Sequence, residues 1–487
     1  VPLSKSRFSA GLQCDRQLWW RSHEKDAPEL IPDRALQARF DRGHLVGAEA
    51  RRHVPGGVLI DEPPGAFPRR LAATRRAIDA GAPVIYEAAF SAGQVFAAVD
   101  ILERTPGGWD LTEVKSSTRV KDEHVPDAAL QVHVLRRAGL EVERAYVMHL
   151  NPACTYPDLR DLFVRADVTA RVEGLLPMIE REIPRQLAML RGVLPEVAIG
   201  PHCSQPHPCP FMGRCWPQFP PGHIHTLYRV GQKWWDLAQR GVERITDLPP
   251  DFALRGPAER QARSLRAGRP IFESSLAGAL AAFERPLAIL DFETVMPAIP
   301  VWDGCHPFDA VPVQFSVHIE DGAGGWEHRA WLADGPGDPR AELIGRLEGA
   351  CAGARTLLAW YAPFERGCLT RVAAARPELA DAVAALIARL ADAQPLVRDH
   401  VYHPDFEGDF GLKRVLPVLV PELSYDGLEI ADGEAAQSAL EALLFASESF
   451  APAERERVRE ALTRYCALDT LGVARLIEEL QRRARGG

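Results

Sequence analysis

An aspartate stands inside an apolar strand, in Val95-Phe96-Ala97-Ala98-Val99-Asp100-Ile101-Leu102. Burying an ionised carboxylate costs roughly several kcal/mol unless it is paired or bound to a metal. Any fold this chain adopts must therefore bring a partner to Asp100. The flanking sequence supplies candidates. Val84-Ile85-Tyr86-Glu87-Ala88-Ala89-Phe90 reads as a preceding strand, closed by the turn Ser91-Ala92-Gly93-Gln94. Thr105-Pro106-Gly107-Gly108 is a second turn, after which a third strand runs from Trp109 to Lys115. Its end, Glu113-Val114-Lys115, puts Glu113 and Lys115 on one face by strand alternation. A helix bearing Gln131 and a strand ending at Leu150 complete a strand–strand–strand–helix–strand unit. Adjacent strands then aim Asp100, Glu113 and Lys115 at one point.

Two carboxylates are hard oxygen ligands for Mg2+ or Mn2+, and an ammonium beside them steadies hydroxide or the charge developing on a phosphate. The spacing Asp100, Glu113-x-Lys115 and then a helix with Gln131 resembles the core of the RecB-type PD-(D/E)XK nucleases. That resemblance implies Asp100 and Glu113 as metal ligands, Lys115 and Gln131 as catalytic partners, and Glu87 as an outer acid. It also implies His44, in Phe40-Asp41-Arg42-Gly43-His44, as an upstream metal ligand. Arg119 and Lys121 follow closely and are expected to contact a nucleic-acid backbone.

Nine cysteines in a chain with no signal-peptide apolar core indicate metal or free thiols rather than disulfides. Cys203, Cys209 and Cys215 recur every six residues in a stretch whose prolines and Gly213 exclude a regular helix, so their thiolates can converge. With His202 or His207 they would suit zinc; with Cys14 as a fourth thiolate they would suit an iron–sulfur cluster. One distant N-terminal cysteine plus three clustered after the core resembles the iron–sulfur RecB-like nucleases, and Leu12-Gln13-Cys14-x-x-x-Leu18-Trp19 resembles their opening segment. The resemblance implies a 4Fe–4S cluster stapling the N-terminus to the end of the domain.

Beyond this core, 223–285 reads as helices, with a hairpin like a helix–turn–helix at 237–249. Arg255, Arg260, Arg263, Arg266 and Arg269 form the most basic stretch, four of them recurring every third residue. Arg260, Arg263 and Arg266 are the expected phosphate contacts. A second acidic signature opens at Leu287-Ala288-Ile289-Leu290, a buried strand running into Asp291-Phe292-Glu293-Thr294. Strands follow at 313–319, 327–332 and 356–361, then Ala362-Pro363-Phe364-Glu365-Arg366. In Tyr465-Cys466-Ala467-Leu468-Asp469, Tyr465 and Asp469 stand four apart and share a helix face. This order resembles the DnaQ-type (DEDDy) exonucleases of RNase H-like fold. It implies that Asp291, Glu293, Glu365 and Asp469 hold two divalent ions and that Tyr465 orients water, with Glu365 where that family usually has Asp. Lys413 and Arg414 are expected to grip substrate, and Asp399 to be an extra acid near the metals.

The whole chain resembles a bacterial family that fuses these two nuclease types. The expected fold is α/β: a RecB-like, restriction-endonuclease-type domain with an Fe–S staple over 1–220, a helical connector over 221–285, and an RNase H-like exonuclease domain over 286–487. Hydrophobic content of 46% and charged content of 25% fit a globular protein, and no run of eighteen apolar residues exists. The expected location is the cytoplasm. A net charge of −9 argues against a protein coated in nucleic acid but not against an enzyme with a local basic channel. The implied function is metal-dependent DNA cleavage from single strands or ends, in repair or defence, with a helicase or defence-system partner. A DNA-end-binding scaffold with reduced catalysis and an RNA exonuclease are the alternatives.

Overall fold

The computed structural model describes residues 2–249, 252–446, 448 and 450–486. It is a mixed α/β chain that divides into two compact units, Val1–Pro217 with Ala298–Val301, and Gln218–Pro297 with Trp302–Gly487. Seventeen α-helices lie among the described residues, and none is long and apolar enough to cross a membrane.

The first unit opens with β1 (Leu3–Ser4), α1 (Lys5–Gln13) and α2 (Asp15–His23), followed by α3 (Arg34–His53), β2 (Val58–Leu59) and α4 (Phe67–Asp79). Then come β3 (Val84–Ala92), β4 (Val95–Arg104), β5 (Trp109–Lys115), α5 (His124–Arg137), β6 (Val142–Leu150), β7 (Phe163–Asp167) and α6 (Thr169–Met189), with the short α7 at Met212–Cys215. The sheet order is β2-β3-β4-β5-β6-β7. β3 and β4 close through a two-residue turn in which Gly93 supplies the positive φ that turn demands. α5 is buried along almost its whole length, and its apolar residues join one core with those of β3, β4, β6 and α6.

One edge of β4 changes partner along its length. Val95 and Phe96 pair with β1 in parallel, whereas Ile101 to Arg104 pair with β5 in antiparallel fashion. Asp100 sits where this fork opens, and β1 runs directly into α1, so Lys5 is delivered beside it. The N-terminal segment folds as two separate helices. Cys14 divides them in extended conformation, ending α1 and starting α2.

The second unit begins with α8 (Lys233–Gln239), α9 (Pro257–Ala267), β8 (Ile271–Phe272) and α10 (Leu276–Ala281). Its main sheet uses β9 (Leu287–Val295), β10 (Val311–Glu320) and β11 (Trp326–Leu332). After α11 (Arg340–Ala350) follow β12 (Thr356–Ala359), α12 (Ala362–Ala375), α13 (Ala380–Arg389) and β13 (Leu390–Asp392). The order is β11-β10-β9-β12-β13, antiparallel on the β10 side of β9 and parallel on the β12 side. α14 (Gln394–Arg398), β14 (Val401–Tyr402), α15 (Leu412–Leu419), α16 (Gly433–Phe445) and the 35-residue α17 (Pro452–Gly486) complete it. A buried polar network pins α17 to the sheet: Thr470 Oγ1 lies 2.7 Å from Ser316 Oγ and 2.8 Å from His318 Nδ1. Burial pushes the His318 imidazole down to about 4, so the ring is neutral and the network carries no charge.

The stretch expected as a separate helical connector belongs to this second unit. β8 pairs with β14, and Gln261 accepts from Tyr228 N–H and donates to the Thr226 carbonyl. The expected 237–249 hairpin has one α-helix, α8; Gly241 follows it at positive φ, and a 3-10 turn at Ile245–Asp247 replaces the second helix.

Candidate functional site

The first unit gathers Asp100, Glu113, Lys115 and Gln131 at the fork. Glu113 is buried and uses both oxygens: Gln131 Nε2 donates to Oε2 at 2.6 Å, while Lys5 and Lys115 Nζ reach Oε1 at 2.5 and 2.9 Å. Asp100 Oδ2 accepts from the Val114 N–H at 2.6 Å. Burial, reinforced by the Glu113 charge, pushes the Asp100 carboxyl up to about 7. Burial would also raise Glu113, but the ammoniums of Lys5 and Lys115 outweigh it and hold this carboxyl well below the usual range. Two adjacent acids are thus driven apart, one ready to hold a proton and one held ionised. Glu87 faces Asp100 across the β3–β4 pair, adds to the rise of its pKa, and has a φ of 56°. A left-handed non-glycine residue inside a strand is strained, and such strain concentrates at functional positions. Gln131 Oε1 is buried without a hydrogen-bond partner, an open acceptor beside the acids.

His44 is exposed on α3, and among the described residues neither it nor Asp100 nor Glu113 belongs to a group of three ligand atoms within 4.8 Å of one another. Arg119 is exposed in the loop after β5, and Lys121 pairs with Glu123 at 3.7 Å. Two residues missed from the sequence complete the cluster. Asp127 bonds Lys115 at 2.6 Å and lies one turn before Gln131 on the same helix face, a spacing legible in principle. Lys5 carries no such local signal, being 108 residues from its partner.

Cys14, Cys203, Cys209 and Cys215 line one cavity in this unit, together with Gln17, Trp20 and Phe211. All four are free thiols. Gln13 Nε2 ties the wall together by donating to the carbonyls of His202 and His207, at 2.8 and 2.7 Å. Among the described residues, no three of these Sγ atoms fall within 4.8 Å of one another. Tetrahedral zinc with Zn–S bonds of about 2.3 Å would hold its sulfurs about 3.8 Å apart.

In the second unit, period-two alternation puts Asp291 and Glu293 on one face of β9, opposite Ser316 and Gln314 of β10. A ligand atom from each of Asp291, Glu293 and Cys466 lies within 4.8 Å of the others, and the Cys466 thiol donates to Asp291 Oδ2 at 3.4 Å. Asp469 arrives from α17, four residues beyond Tyr465. Burial, then the charges of Asp469, Glu293 and Glu365, push the Asp291 carboxyl well above its ordinary value. Burial and Asp469 raise Glu293 to about 8. Burial and Asp392 raise Glu365 to about 7, and its Oε2 is buried without a partner. Asp469 is lifted by burial to about 6, restrained by the hydroxyls of Tyr425 and Tyr465 and by Lys413. Lys413 Nζ donates to Tyr465 Oη at 3.0 Å and to the Ala431 carbonyl at 2.8 Å. Four carboxyls raised by burial, two of them also by the charges of the others, make a site short of positive charge, which a divalent cation relieves.

Glu293, Glu365 and Asp469 keep their protons to higher pH folded than unfolded, so their contribution to stability is full below about pH 4 and lost as pH rises through about 6 to 8. The melting temperature of the metal-free chain should fall across that window. Mn2+ should restore it most at pH 8, where the ligands are ionised; scanning calorimetry with and without Mn2+ measures this.

Cys466, Tyr425 and Asp392 are additions to the expected site, and the charge of Asp399 adds to the rise of the Asp392 carboxyl. Asp399 pairs with Arg398 at 2.7 Å, and the acid at the end of β13 is Asp392. Arg260 is turned inward: it pairs with Glu273 at 3.1 Å and donates to the carbonyls of Arg398 and Asp399, so it is not available to phosphate. Arg263 pairs with Glu273 at 2.9 Å, Arg266 is exposed, and Arg414 pairs with Glu407 at 2.6 Å.

Residues 288–411 are similar to a family described as "Domain of unknown function (DUF2779)". The matched segment takes in Asp291, Glu293, Glu365 and Asp392 and ends before Lys413, Tyr425, Tyr465 and Asp469. No curated protein matches the chain.

Proposed function

We propose that this chain is a metal-dependent nuclease with two active sites, one in each unit, acting on single-stranded DNA or DNA ends. The observation that carries the reading is the convergence of Asp291, Glu293, Glu365 and Asp469 from β9, α12 and α17, with every carboxyl pKa raised by burial and those of Asp291 and Glu293 raised further by the charges of the others. The strand order β11-β10-β9-β12-β13, with acids on the central strand and a tyrosine four residues before the last acid, supports an RNase H-like exonuclease of the DEDDy kind. In the first unit, Asp100 on β4 with Glu113 and Lys115 on β5 and Gln131 on α5 supports a RecB-like PD-(D/E)XK core.

Mg2+ or Mn2+, when bound, supplies Lewis acidity and a hydroxide at neutral pH. The protein's own groups do the rest. Asp291, Glu293, Glu365 and Asp469 would be the oxygen ligands in the second unit, and Asp100 and Glu113 those in the first. Tyr465, fixed by Lys413 and Asp469, turns its hydroxyl toward the acids and can orient attacking water. Lys413 brings the nearest positive charge, suited to a non-bridging phosphate oxygen. Gln131 fixes the rotamer of Glu113. The four thiols around the first unit's cavity fit a 4Fe–4S cluster, whose role would be to join α1 and α2 to the segment 203–215.

The assay is digestion of matched labelled oligomers. With Mn2+ the chain should degrade single-stranded DNA, more slowly attack duplex, and stop on chelation. Faster loss of RNA than of DNA would reassign the substrate; no digestion of any oligomer would leave the acid clusters as cation sites of a binding protein.

A further inference from the structure

The first unit has one ammonium more than the nuclease motif requires. Lys5 and Lys115 both contact Glu113 Oε1, at 2.5 and 2.9 Å, yet they are not equivalent. Lys115 has a second anchor: Asp127 Oδ2 at 2.6 Å, with Asp127 held in turn by Ser9 Oγ at 3.0 Å. Among the described residues, Lys5 has Glu113 as its hydrogen-bonding partner and no other. Its side chain is 30% exposed, against 20% for Lys115, and it stands on the first turn of α1 beside the fork in β4.

A divalent cation that takes Glu113 Oε1 meets two like charges there. Lys115 can stay with Asp127. Lys5 has no second hydrogen bond, only the more distant charges of Asp100 and Asp127, so it is the one that yields. We propose that Lys5 is a displaceable ammonium: it occupies the cation position on Glu113 when no divalent ion is bound, gives it up to the ion, and is then free to contact a non-bridging oxygen of the scissile phosphodiester. The last step rests on the nuclease reading; the competition for Glu113 does not.

The two parts separate experimentally. Mn2+ binding to the full chain is measured by electron paramagnetic resonance in an Asp291→Asn background, with Asp100→Ala identifying the signal that belongs to the first unit. Lys5→Met, which keeps the apolar stem, should lower the Kd of the Asp100-dependent Mn2+ by about tenfold. In a single-turnover assay the same variant should cut DNA at least about tenfold more slowly at saturating Mn2+, and Lys5→Arg should recover part of that rate. Tighter metal with slower cleavage is an outcome that loss of packing does not produce, and Lys5→Ala with a circular-dichroism melt controls for folding. Asp100-dependent Mn2+ bound no more tightly by Lys5→Met overturns the inference alone. No Asp100-dependent Mn2+ in the parent chain overturns it together with the site reading. Tighter Mn2+ with unchanged cleavage overturns the phosphate contact.

Discussion

Replacing Asp291 with asparagine should reduce cleavage by the second unit by about a thousandfold while making the metal-free chain more stable. The two effects share one cause. Asp291 sits on the central strand among Glu293, Asp469 and Glu365, each of which raises its pKa, and it accepts a bond from Cys466. An amide keeps the volume and that hydrogen bond but removes the charge. The amide is neutral without taking up the proton that Asp291 needs among these acids, so folding without metal is relieved. The same loss removes an anionic ligand, so divalent ions bind weakly. The check is a pair of measurements on one variant: the melting temperature in EDTA, expected to rise, and exonuclease rate in Mn2+, expected to collapse. A lowered melting temperature with retained cleavage would mean that Asp291 is a structural acid.

Cys203→Ala should strip the first unit of its colour and lower its melting temperature by about 10 °C. Cys203 is the most buried of the four thiols, and its carbonyl accepts from the Cys209 N–H at 2.8 Å, so it organises the loop that carries the other two. The helix start at Cys14 and the segment 203–215 meet around one cavity. A cluster there links ends of the unit that are far apart in sequence, and its loss frees both. Anaerobic protein should be brown, with absorbance near about 400 nm that Cys203→Ala abolishes. Colourless protein carrying stoichiometric zinc would replace the cluster with a single ion.

Much of this was legible because acids in apolar strands are costly and so conspicuous. Asp100 and Asp291 announce themselves in Ala-Ala-Val-Asp-Ile-Leu and Ala-Ile-Leu-Asp-Phe-Glu, and alternation then selects Glu113, Lys115 and Glu293. Tyr465 and Asp469 follow from helical spacing. What stayed hidden depends on contacts between distant segments. Lys5 reaches Glu113 only because β1 pairs with β4. Tyr425 reaches Asp469 from a loop with no periodicity. Asp392 ends a strand of three residues, too short to read. One member of the arginine stripe stayed unread for a related reason: spacing sets a helix face but not what covers it, and Arg260 points at the carbonyls of Arg398 and Asp399. His44 shares that limit, since a histidine on a helix has no partner until α3 is packed.

On the proposed function, two acid clusters each hold divalent cations and cut phosphodiesters. The most direct test follows end-labelled single-stranded DNA in Mn2+ with four proteins: the parent chain, Asp100→Ala, Asp291→Asn and the double variant. The account predicts that each single variant retains part of the activity with an altered product ladder and that the double variant is inert. A double variant that degrades DNA as fast as the parent chain would contradict it.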